Sequence, residues 1–305
     1  MDSMAFNIEA VNKNYRFFNL QNLHLQLPVG QVMGFIGPNG AGKSTTIRLL
    51  MGLIQADSGE ITVLDHSIPK DVVAAKWDVG FASEDMRLYP RSTLQWHIDL
   101  CKSIYPSWDD AYCKKLLKNF GLIPEQKIKG LSHGQRVKAG LLLILARKPK
   151  LLILDEPTTG LDPVARKEIV EELFEVLKDE DRSILFSSHN TQDVEQLSDV
   201  IAFIDRGTLV ECKDKENFLQ NWRRMRLRLP DGKKFARDSL PALVNLKQEG
   251  QFAVATTDQF VTSLPEVYQT MGLTVDNVEP MSLEEIFVAN IMQRREEVVH
   301  ESHHD

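Results

Sequence analysis

The stretch GPNGAGKST, residues 37–45, carries the residue types that hold a polyphosphate. It follows the apolar run VMGFI and precedes the helical pattern TTIRLLMGL, so a buried strand feeds a glycine-rich turn that opens a helix. The spacing fits G-x-x-x-x-G-K-[ST] in the strand–turn–helix context that this pattern needs. Over Gly37, Pro38, Asn39, Gly40, Ala41 and Gly42 the chain is expected to curl with its N–H groups inward, and the helix N-terminus adds partial positive charge. Lys43 would bring an ammonium to the β- and γ-phosphates, Ser44 a hydroxyl to Mg²⁺, and Thr45 a donor to an α-phosphate oxygen.

LLILDEP (151–157) reads as a fully buried strand ending in two carboxylates. Asp155 can hold Mg²⁺ through water, and Glu156 can face the γ-phosphate and polarise a water. ATP and Mg²⁺ are the implied ligands. LSHGQ (131–135) is a third element. Ser132 is a good N-cap, Gly134 leaves the backbone bare, and the helix start points its positive end at something outside itself. Alone, the pentapeptide is only a capped helix.

Alternating strands and helices must position these groups. FNIEAV, LHLQLP, EITVL (60–64), VGFAS (79–83) and SILFSSH (183–189) read as strands, and VIAFIDRGTLV (200–210) as a hairpin turning at Arg206-Gly207. ARKEIVEELFEVLKDE (165–180) is an amphipathic helix, and residues 88–129 are helical and aromatic. The class is α/β with a largely parallel sheet. After about Asp214 the character changes: RMRLRL, FAVATT and LTVDNVEP read as strands, with PALVNLKQEG and LPEVYQTMG as short helices between them. The expected organisation is a nucleotide-binding domain over 1–215, with a helical subdomain at about 88–145. A small α+β domain follows at 220–292, then a charged, frayed tail at 293–305.

Bulk properties narrow the classes. A net charge of −7 argues against a chain built to wrap nucleic acid, so no nucleic-acid partner is expected. Cys101, Cys113 and Cys212 fit neither a disulfide framework nor a zinc spacing. The apolar runs LLLILA and LLIL are too short to cross a bilayer, so a membrane role would need a partner that supplies the spans.

Taken in order, the motifs resemble the ATP-binding subunits of ABC transporters over about residues 6–212. That resemblance implies a P-loop ATPase fold with a mixed core sheet, an antiparallel β edge and a helical subdomain. LSHGQ stands where the family carries its signature, normally LSGGQ; TTGLDP (158–163) resembles the D-loop, with Asp162 as its acid; and SSHN puts His189 at the γ-phosphate-sensing histidine. Tyr15 stands where the family stacks an aromatic ring on adenine. Glu84 occupies the place of a usual Gln at the metal. In the family two subunits associate head to tail, so Ser132, Gly134 and Gln135 would close on ATP held by another chain's Lys43, with Glu156 and His189 completing hydrolysis.

The single ATPase domain, Glu84 and the closing segment VEPMSLEEIFVA resemble ABC-2-type exporters. The implied partners are a multi-span membrane permease and a second copy, or a related ATPase subunit. The implied location is the cytoplasmic face of the membrane. Two alternatives remain at this stage: a soluble ATPase of the same family not tied to transport, and a silent regulator that binds ATP without turnover.

Overall fold

The computed structural model describes residues 3–83, 86–179, 181–230 and 235–301. Alternation of apolar and polar residues builds its first sheet. In β1 (Met4–Tyr15) and β2 (Phe18–Pro28), Phe6, Ile8, Val11, Leu20, Leu23, Leu25 and Leu27 are buried. Each such side chain contributes about 1.5–3 kcal/mol of burial. β3 (Val32–Ile36) is buried at every position and runs through the glycine-rich turn into α1 (Lys43–Leu50). β4 (Ser58–Val63) and β5 (His66–Ile68) complete an antiparallel sheet of order β2-β1-β4-β5.

The chain then passes through α2 (Val72–Asp78), β6 (Val79–Ser83), α3 (Leu94–Ile104), α4 (Asp110–Asn119) and α5 (His133–Leu145). β7 (Leu151–Asp155), α6 (Pro163–Val176), β8 (Ser183–Ser188), α7 (Thr191–Leu197), β9 (Val200–Asp205) and β10 (Thr208–Asp214) follow. The second sheet has the order β10-β9-β3-β8-β7-β6, and β9, β3, β8, β7 and β6 pair in parallel. The fold is therefore mixed α/β. Register does the positioning: Ile36 pairs with Ser188, Asp155 with Ser187, and Ser83 with Asp155. The carboxyl ends of β3, β6, β7 and β8 thus share one sheet margin, the place where open α/β sheets bind ligands.

Contacts divide the chain between Cys212 and Lys213. The second unit contains α8 (Lys215–Asn221), β11 (Arg223–Arg228), β12 (Asn245–Glu249), β13 (Phe252–Thr257), α9 (Leu264–Thr270), β14 (Thr274–Pro280) and α10 (Leu283–Glu301). Its sheet is antiparallel in the order β12-β13-β11-β14. Met225, Leu227, Ala253 and Ala255 pack with Leu264 and Tyr268 into a separate core.

Two expectations fail here. PALVNLKQEG does not form a helix, because Asn245–Glu249 pairs with β13 across the two-residue turn Gly250-Gln251, with Gly250 at φ +62°. The segment 293–305 is not a frayed tail throughout, since α10 continues to Glu301. Among the described residues no helix is long and apolar enough to cross a membrane.

Candidate nucleotide site

The turn before α1 holds its helix start open. Gly42 is the N-cap at φ +118°, with no side-chain cap. The first backbone bond back to it comes from Thr46 N–H, at 2.9 Å. The N–H groups of Lys43, Ser44 and Thr45 precede that bond, so this helix end is built to take donor-hungry ligand oxygens. A Cβ at Gly42 would come within 3.0 Å of Phe18 Cζ, and Gly40 also has φ above zero, at +79°. Lys43 is 7 % exposed. Its Nζ donates to the Gly37 carbonyl at 2.7 Å and lies 3.6 Å from Glu156 Oε1, as a buried ammonium requires.

The two carboxylates at the end of β7 sit opposite. Ser187 Oγ donates to Asp155 Oδ1 at 2.6 Å and so fixes that carboxylate at the end of β7. Glu156 takes φ +54°, an uncommon conformation for a side-chain-bearing residue and one that functional sites store. Its N–H donates to the Ser187 carbonyl at 3.1 Å. Its Oε2 receives the Thr159 hydroxyl at 3.0 Å and His189 Nδ1 at 2.6 Å. A cavity of about 590 Å³ is walled by residues 38–45, Glu156, Thr159, His189, Phe17 and Phe18. A smaller one, of about 220 Å³, brings Ser44, Ser83, Asp155 and Glu156 together. This donor set is all oxygen, anionic on one side, and suits Mg²⁺. Glu84, the third expected metal residue, lies outside the described residues.

The 131–135 motif is built differently. Ser132 caps α5 by accepting from Gln135 N–H at 3.2 Å, while Gln135 Oε1 accepts from Ser132 N–H at 2.9 Å. Gln135 is thus spent in a capping box. His133 Nε2 meets the Thr159 carbonyl at 3.3 Å. Asp162 caps α6, accepting from the N–H groups of Val164 and Ala165 at 3.0 Å each. The Ala165 N–H, more than any other partner, holds the Asp162 carboxyl below the usual carboxylate range.

The structure therefore gathers Pro38 through Thr45, Glu156 and His189 around one cavity and Ser44 with Asp155 around another. Ser132, Gly134, Gln135, Asp162 and Tyr15 line neither cavity. Tyr15 instead leans toward Phe18, with ring centroids 6.4 Å apart, and it is Phe17 and Phe18 that reach the phosphate turn. Sequence reasoning missed these two phenylalanines, Thr159 and Ser187. The pair of aromatics in YRFFN was the available signal for the first; the others become visible only through strand register.

A family profile described as "ABC transporter" matches residues 20–159. The ABC transporter ATP-binding protein YtrB of Bacillus subtilis (strain 168) is 27% identical over 278 residues, covering 90% of this chain and 94% of that protein. The lantibiotic transport ATP-binding protein SrtF of Streptococcus pyogenes is 34% identical over 209 residues, 68% of this chain and 90% of that protein. In fold, the chain is similar to a solved ATP-binding subunit of an ABC transporter, with a TM-score of 0.65 at 24% identity, over 71% of this chain and 92% of that one.

Proposed function

We infer that this chain, which belongs to the ATP-binding proteins of ABC transporters, hydrolyses ATP as half of a head-to-tail pair. Each member would lend its α5 start to the nucleotide held by the other. One observation carries the pairing. The cavity that holds Lys43, Glu156 and His189 contains no residue of the 131–135 motif, while Ser132 is exposed at a helix start. An exposed, donor-bearing helix start that lines no part of its own chain's phosphate cavity fits a phosphate on another.

The residues divide the chemistry. The phosphates lie against the N–H groups of the 38–45 turn, and the γ-phosphate takes over the contact that Lys43 now makes with Glu156. Glu156 accepts a proton from water as that water attacks the γ-phosphorus, breaking the bond to the β-phosphate oxygen. His189, bonded to Glu156 through Nδ1, keeps Nε2 for a γ-phosphate oxygen. Ser44 and Asp155 would hold Mg²⁺, which when bound neutralises phosphate charge. The base lies against Phe17 and Phe18, with Tyr15 beside them.

A membrane-spanning partner fits the helical segment. Trp96, Leu100 and Ile104 are exposed at four-residue spacing along α3, and Tyr89 meets Trp96 edge to face at 5.5 Å. A contiguous apolar stripe of this kind marks an interaction surface. Tyr105 and Trp108 do not extend it: Tyr105 lies under the Arg147 guanidinium, and Trp108 bonds Asp110. Docked so, the chain works peripherally at the cytoplasmic face, and the resemblance of its closing segment supports export. Phosphate release by Glu156→Gln tests the catalytic assignment. Turnover should fall about 10²–10⁴-fold, the usual share of a general base, with ATP still bound; undiminished turnover would remove Glu156 from that role.

A further inference from the structure

The first turn of α5 is clasped to the turn that follows Glu156. A ring nitrogen facing a carbonyl must carry the proton, so His133 Nε2 donates to the Thr159 carbonyl at 3.3 Å. A Cβ built at Gly160, where φ is +70°, would lie 3.4 Å from that same nitrogen, so the imidazole sits directly over the glycine. Gly134 meets the segment just beyond: a Cβ there would lie 3.3 Å from Ala165 Cβ. One turn along α5, the buried Lys138 pairs with Glu168 of α6. From Thr159 the path continues inward, its hydroxyl donating to Glu156 Oε2 at 3.0 Å. A bonded path thus runs from the α5 start, through one residue, to the carboxylate that receives the proton from water.

We propose that His133 is a positioning residue, whose imidazole ties the 156–160 turn to the α5 start so that this helix end and Glu156 move together. The proposal rests on the paired reading above. There the α5 start answers to the partner's ATP, while Glu156 acts on the ATP of its own chain, so the tie couples the two sites. Glycine at this position would preserve the capping box, which uses only Ser132 and Gln135, but would lose the tie. The imidazole is therefore an addition to the helix end with its own use.

Steady-state hydrolysis by the full chain tests this in wild type, His133→Ala and His133→Gln, with nucleotide affinity measured separately and the melting temperature as a check on folding. A glutamine amide can reach the same carbonyl as a donor; alanine cannot. In His133→Ala, kcat should fall about three- to tenfold, the worth of one hydrogen bond, with ATP affinity unchanged. Its Hill coefficient should decline toward one, and His133→Gln should recover most of both. A His133→Ala chain equal to wild type in kcat and Hill coefficient would overturn the proposal. So would a His133→Gln chain as slow as His133→Ala, since the ring's bulk and not its N–H would then be at work. Failure of the paired reading has a different signature: specific activity independent of protein concentration and a wild-type Hill coefficient of one. That result would end the coupling as well, whatever His133→Ala does.

Discussion

The two helix starts to which the proposed function assigns nucleotide contacts are built in opposite ways. At α1 the cap is a bare Gly42 in the left-handed region, and no side chain competes for the first N–H groups. At α5 Ser132 and Gln135 satisfy one another's backbone in a complete capping box. The first start leaves its donors to a ligand and sits among the aromatic rings, lysine and glutamate of one cavity. The second is stable on its own and exposed. A start that must bind within its own chain can leave its donors open, because the ligand satisfies them. A start that waits for another molecule must hold its shape until that molecule arrives.

The strongest way to break this contrast is to make the α1 start tolerate a side chain. Gly42→Ala places a Cβ at φ +118°, within 3.0 Å of Phe18 Cζ. The left-handed conformation costs an L-residue about 1–2 kcal/mol, and the clash adds to it. Nucleotide affinity should fall by at least tenfold, read by equilibrium binding, with a lower melting temperature. Unchanged affinity would mean that the turn's curvature is not what opens the donors. A smaller effect probes the wall of the same cavity. Phe17 is 87 % exposed, and an aromatic face left that open offers a base about 1 kcal/mol, or roughly fivefold in Kd. Phe17→Ala should lose that amount and Tyr15→Ala less; the reverse order would return the stacking role to Tyr15.

How much of this was legible follows the same division. The α1 start lies in contiguous sequence, and its strand, turn and helix signals agree with one another, so Lys43, Ser44 and the 38–45 cradle could be read directly. Asp155 and Glu156 were legible because a buried strand ends at them. What the sequence hid is tertiary. Thr159 reaches Glu156 only through a tight turn, Ser187 meets Asp155 only through the β7–β8 register, and His133 gains its partner only when α5 lies against the segment before α6. In the second unit, the residues of PALVNLKQEG read as a short helix. The Gly250-Gln251 turn, with glycine at its first position, was the hairpin signal that outweighed them.

The sharpest small test asks whether Ser132 is more than a cap. Ser132 Oγ accepts the Gln135 N–H at 3.2 Å, so removing it costs cap stability by an amount that depends on the replacement. Alanine should cost about 1 kcal/mol and glycine only a few tenths, because glycine suits an N-cap without a side chain. Both lack the hydroxyl equally. If that hydroxyl also meets a γ-phosphate oxygen on a partner, Ser132→Ala and Ser132→Gly should lose the same severalfold share of turnover while differing in melting temperature. If the loss of turnover instead follows stability, with alanine worse than glycine, the hydroxyl serves only its own helix. The α5 start would then present backbone alone to its neighbour, and the two helix starts would differ in the groups they offer a phosphate as well as in capping, since α1 adds the Lys43 ammonium.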